Sequence, residues 1–117
     1  MLARVATYEF GDRAEGRRVL AAVRDGAREL VEGIAGWRGV VHLAEREGGR
    51  ATVIHFLDDE HSLAAAEALF AALPRRLEGG AASALRELNA ARESVTVVDV
   101  LAGELDRLVS PPGAGAG

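Results

Sequence analysis

The chain has 117 residues, 49% of them apolar and 27% charged, with a formal charge of −4 and no cysteine. One core and one domain are expected at that length, and without cysteine there is no disulfide scaffold, thiolate nucleophile or cysteine-ligated metal. All 14 basic residues are arginine, which removes Schiff-base lysine chemistry and a lysine-dependent phosphate loop.

Acidic residues sit beside most of the arginines. Nucleic-acid binding therefore lacks its main driving force. The adjacent pairs Arg17 and Arg18, and Arg75 and Arg76, read as solvated helix faces. No apolar run approaches the roughly 18 residues of a membrane span. Arg4 and Glu9 interrupt the first apolar stretch, so a secretory signal is not expected and a cytoplasmic location is.

Residues 2 to 10 read as a strand, with Val5, Thr7, Tyr8 and Phe10 supplying β-branched and aromatic side chains. Gly11 ends it. Asp12 then caps a helix, with Glu15 in the position of an acidic capping box. Val19, Leu20, Val23, Ala27, Leu30, Val31 and Ile34 draw one apolar stripe at helical spacing. Gly26 inside that helix weakens it by about 1 kcal/mol relative to alanine, and close packing against a strand is the expected reason. Gly33 and Gly36 stop the helix. Residues 37 to 45 and 51 to 57 form the two strands of a hairpin that turns at Gly48 and Gly49. Asp58 or Asp59 caps a second helix through Leu63, Ala66, Leu69, Phe70 and Leu73, interrupted by Pro74 and then by Gly79 and Gly80. A shorter helical piece around Leu85 and Leu88 leads to a last strand, Val95 to Leu101.

The order β, α, β, β, α, β predicts an α+β fold, a ferredoxin-like plait with a four-stranded antiparallel sheet and its helices on one face. A single domain is expected over residues 1–110. Pro111, Pro112 and the Gly and Ala that follow read as a flexible tail, 111–117. A hairpin centred on Gly48 and Gly49 places Leu43 opposite Ile54 and Val41 opposite Phe56, and this more apolar set is expected to meet the helices. The alternate set, Arg38, Val40, His42 and Ala44 with Ala51, Val53, His55 and Leu57, then lies on the open face with its two histidines opposed. Val40, Val53 and Leu57, joined by Val97 and Leu101, would leave an apolar patch that a second copy covers. A homodimer is the expected partner.

The opening strand Leu2 to Val5, the corner Gly36, Trp37, Arg38, Gly39, the hairpin from Glu45 to Arg50 and the junction Leu57 to Glu60 follow one another in an order that resembles the antibiotic biosynthesis monooxygenase domain family, of the dimeric α/β barrel superfamily. The resemblance covers roughly residues 2 to 101. It implies a cofactor-independent monooxygenase working on a small aromatic, polyketide- or quinone-like substrate in the dimer-barrel cavity, with no metal or flavin required. Ala35 stands where the family's corner has proline, Leu57 where the third strand often ends in tryptophan, and Pro74 to Ala84 resembles an insertion. The haem-degrading branch uses an asparagine on the first strand, a tryptophan ending the third and a histidine on the second helix. Here those places hold Thr7, Leu57 and, near the helix, His61.

His42 and His55 are the candidate catalytic residues, because a neutral imidazole accepts a proton near neutral pH and both are expected to face the dimer cavity. Arg4, Tyr8 and Arg38 are the candidate substrate-binding residues, arginine to hold an enolate or phenolate and Tyr8 to hydrogen-bond it. The same five also fit a purely structural role as polar groups bonded across a dimer. Asp99 is a candidate to orient a cavity side chain if the last strand has the right phase. Trp37 falls on the helix-facing set and is expected to be core packing before substrate stacking. No metal site is assigned, since His55 and His61 lack a ligand spacing and the acids at 58–60 serve a helix start. Two function classes remain: the oxygenase, and a non-catalytic module that binds a small apolar ligand or whose cavity is filled by its own side chains.

Overall fold

The computed structural model describes residues 1–102. The tail expected at 111–117, and the end of the domain beyond 102, lie outside the described residues. In chain order the elements are β1 (Leu2–Glu9), α1 (Arg13–Glu32), β2 (Trp37–Ala44), β3 (Arg50–Leu57), α2 (Glu60–Arg76), α3 (Gly79–Ala91) and β4 (Arg92–Asp99). The sheet runs β2-β3-β1-β4 with every neighbouring pair antiparallel. This is the predicted ferredoxin-like plait, with the helical part of the second half split in two. Among the described residues no helix is long and apolar enough to cross a membrane.

Local chemistry sets the element boundaries. The Asp12 carboxylate accepts from the Glu15 backbone N–H at 2.7 Å, and the Glu15 side chain accepts from the Gly11 N–H at 3.1 Å. One orphan donor of the first turn of α1 and the N–H just before its cap are thus satisfied. Asp59, not Asp58, caps α2, accepting from the Ser62 backbone N–H at 2.9 Å. Those bonds favour its charged form and hold the Asp59 carboxyl below the usual range. Pro74 does not end α2. It sits in the last turn, where the helix runs on to Arg76, and Gly79 and Gly80 open α3 instead of interrupting a helix.

Gly26 packs against a helix, contrary to the expected strand. A Cβ there would lie 2.5 Å from the Ala81 Cβ, so the missing side chain lets α1 and α3 approach closely. α1 is paired closely with α3 along this contact.

The hairpin register differs from the expected one by two residues. Val41 stands opposite Ile54, Leu43 opposite Thr52 and Ala44 opposite Ala51; the Glu45 N–H bonds to the Arg50 carbonyl at 3.1 Å and closes a four-residue loop. Gly49 serves a different purpose from a turn glycine. A Cβ there would run into the Phe10 carbonyl oxygen, and the Phe10 N–H donates to the Gly49 carbonyl at 2.9 Å. The histidines are accordingly not opposed: His42 faces Val53 and His55 faces Val40, which makes them diagonal neighbours.

A shift of two keeps each side chain on its face, but the two faces are reversed relative to expectation. Ala6, Tyr8, Ala51 and Val53 join Val19, Leu20 and Ala27 of α1, Leu73 of α2 and Leu85 and Leu88 of α3 in the buried core, with Val40 packed on it. Leu57 is fully buried as well. The set carrying the histidines is therefore under the helices. Val41, Ile54 and Phe56, with Leu43 at 49% exposure and Val98 at 45%, form the uncovered face.

Candidate functional site

A cavity of about 920 Å³ lies between the helices and the sheet, within one chain. Its size falls at the upper end of small-molecule pockets, roughly 300–1,000 Å³. Arg4, Tyr8, Arg38, His42 and His55 all line it, so all five candidate residues meet in one place. It is not the dimer cavity that the sequence suggested. A hollow interior explains the reversed face: polar side chains under the helices border open space, and the more apolar set is left outside. Asp99 pairs with Leu2, is exposed and does not line the cavity.

Trp37, expected on the helix-facing side as core packing, is on that side but lines the cavity. Alternation from Val41 and Leu43 would put it on the uncovered face, but the β2–β3 register shifts between Trp37 and Gly39, where Gly39 takes φ +141°. The bulge turns Trp37 under the helices. There its indole Nε1 donates to His55 Nδ1 at 3.1 Å. The corner before it depends on Gly36, at φ +85°, whose carbonyl accepts from the Asp58 N–H at 2.9 Å. A Cβ on Gly36 would run into the Ser62 hydroxyl. The glycines flanking Trp37 and Arg38 were the available signal.

Arg4 is buried at 7% exposure, which requires compensation for lost hydration. It has two sources. Its Nε donates to Glu67 Oε1 at 2.6 Å, and its guanidinium lies 4.6 Å from the centre of the Phe70 ring. Phe70 also packs on His55, with ring centres 5.0 Å apart. Arg38 is at the exposed rim, paired through Nε and Nη2 with Asp58. The side-chain hydrogen bond to Asp58 raises its already high pKa.

The titrating groups are shifted toward their neutral forms. Burial, with smaller contributions from Arg4 and then His42, pushes His55 down to about 4. Burial and then Arg24 lower His42. Burial raises Tyr8, partly opposed by Arg4 and Arg92. At neutral pH the cavity thus holds neutral imidazoles able to accept a proton, a phenol able to donate a hydrogen bond, and a fixed guanidinium. Such an arrangement can remove a proton from a bound molecule and stabilise the anion left behind. Among the described residues no three side chains of the His, Cys, Asp and Glu type gather as a metal site.

No protein-family model matches the chain, and no curated protein sequence does. Solved structures do match. A monooxygenase of Streptomyces coelicolor from the gene ActVA-Orf6, in complex with nanaomycin D, is 15% identical, with 88% of this chain and 89% of that one covered at a TM-score of 0.66. SnoaB, a cofactor-independent oxygenase from Streptomyces nogalater, is 16% identical over 87% and 94% of the two chains at 0.59. An antibiotic biosynthesis monooxygenase is 17% identical over 87% and 100% at 0.53. The protein therefore has the ferredoxin-like fold of the antibiotic biosynthesis monooxygenases, as the resemblance in its sequence implied.

Proposed function

We propose that the chain is a cofactor-independent monooxygenase for a small fused-ring aromatic, polyketide- or quinone-like, bound between sheet and helices. The observation that carries this reading is the 920 Å³ cavity with His42, His55, Tyr8 and Arg4 converging on it. A cavity filled by its own side chains would have argued for a structural module. The likeness in fold to oxygenases, one of them in complex with nanaomycin D, supports an oxygenase reading.

The chemistry needs only an acidic carbon on the substrate, as in an anthrone. A histidine takes the C–H proton, and the electron pair stays on the ring system as an enolate held by Arg4 and Tyr8. One electron passes to dioxygen, the radical pair combines to a peroxide, and loss of water leaves a carbonyl. The CH2 group and one O2 become C=O and one water, with no external reductant. Oxygen uptake tests this directly. With a panel of hydroxylated anthrones, consumption matched one to one by quinone formation is the expected result. Saturable binding with no uptake would replace the oxygenase by a ligand-binding module.

The functional unit in this proposal is a homodimer paired through the uncovered face. Val41, Leu43, Ile54 and Phe56 would be an unusual apolar patch to leave in water, and a stable pair normally buries about 1,600 Å². Val53, expected to mark the pairing face, borders the cavity instead. Ile54 takes its place as the test position. Ile54→Asp is expected to shift the protein from dimer to monomer in sedimentation at micromolar concentration. A monomeric parent protein would rule the dimer out.

A further inference from the structure

The two histidines of the cavity are held differently. An indole N–H only donates. His55 Nδ1, 3.1 Å from Trp37 Nε1, must then present its lone pair, and the proton of the neutral ring sits on Nε2. That nitrogen has no hydrogen-bond partner among the described residues, and it is not a sealed, unsatisfied buried atom. Its proton is free to meet a ligand. Protonating Nδ1 would set two N–H groups against each other and break the contact with Trp37.

His42 has no such partner among the described residues. It lies diagonal to His55 across β2 and β3 on the same face, so a charge on either ring opposes a charge on the other. A charge on His42 makes His55 harder to protonate. The groups that bear on the pair are Arg4 from β1 on His55 and Arg24 from α1 on His42. Glu67 from α2 is engaged by Arg4, and Arg92 from β4 bears on Tyr8.

We propose that Trp37 fixes His55 as a hydrogen-bond donor into the cavity, so that of the two histidines only His42 serves as the proton acceptor. This rests on the cavity being the oxygenase site. The substrate C–H bond breaks, its proton goes to His42, its electron pair delocalises onto the substrate oxygen, and that oxygen accepts from His55 Nε2–H while Arg4 neutralises the charge. Trp37 is then a positioning residue. It acts through the tautomer of His55.

Nitrogen-15 NMR of the full chain with labelled histidine tests the assignment without turnover, with His42→Gln and His55→Gln identifying the signals. The expected result is His55 with its proton on Nε2 from pH 8 downward, and His42 taking up a proton at higher pH than His55. Trp37→Phe is expected to mix the His55 tautomers while leaving His42 unchanged. A proton on His55 Nδ1 at neutral pH, or protonation of His55 before His42, would overturn the proposal. The oxygenase reading fails separately. Oxygen uptake by a protein whose His55 carries its proton on Nδ1 defeats the division of roles alone, whereas the expected NMR pattern with no uptake on any anthrone defeats the proton transfer to His42 together with the oxygenase.

Discussion

Replacing His42 by glutamine is expected to lower the rate of oxygenation about 100-fold or more, the usual cost of losing a general base. Glutamine keeps the polarity and approximate size of the side chain but has no basic nitrogen. His42 is half-buried beside open space and not in the packed core, so the fold is expected to survive. His55→Gln removes the ring held by Trp37 but still offers an amide N–H where Nε2–H stood. Its loss is expected to be smaller. Steady-state oxygen uptake on an anthrone measures both, with circular dichroism as the control for folding. Unchanged turnover in His42→Gln would remove that residue from the mechanism.

Acidification is expected to destabilise the protein well before its carboxylates titrate. An unfolded chain binds a proton at each histidine near pH 6.5, whereas folded His55 binds one only near pH 4. As pH falls through this window the unfolded state holds more protons. The stability conferred by keeping His55 neutral is therefore complete above about pH 6.5 and is lost as pH approaches 4. The gap between the two values corresponds to roughly 3 kcal/mol. His42, also lowered, adds in the same direction. Asp59 acts in a separate, lower window, since its depressed pKa confers stability that disappears only below the ordinary carboxylate range. Urea unfolding at pH 7, 5.5 and 4.5 tests this. The His55→Gln curve should be flatter across that range than the parent's, and parallel curves would contradict the burial of a neutral His55.

The elements and their order were legible because they depend on local signals. The stripe from Val19 to Val31, the caps at Asp12 and Asp59 and the alternation in the strands each find their counterpart in the structure. What misled was the rule that the more apolar face of a sheet meets the helices. It presumes a filled interior. Here α1 packs on α3 through Gly26, the space beneath stays open, and the half-polar set lines it. The five candidate residues came together all the same, because a register error of two leaves their shared face intact. The sequence reading put that face on the dimer cavity, whereas the residues line a cavity within the single chain. Trp37 was expected on the helix-facing side and is there, but it reaches that side through a bulge of one residue that the alternation of Val41 and Leu43 does not signal.

Trp37 also supplies the most direct test of the central claim, that an aromatic ligand binds between the sheet and the helices. It is the chain's only tryptophan and it lines the cavity, so its fluorescence reports on that space alone. A hydroxyanthraquinone titrated into the protein is predicted to quench the emission saturably at one molecule per chain, and Ala27→Phe, which pushes a ring into the cavity from α1, is predicted to abolish the effect. Emission that stays unchanged to saturating quinone, or quenching that Ala27→Phe leaves intact while Ile54→Asp removes it, would place the ligand elsewhere and contradict the account.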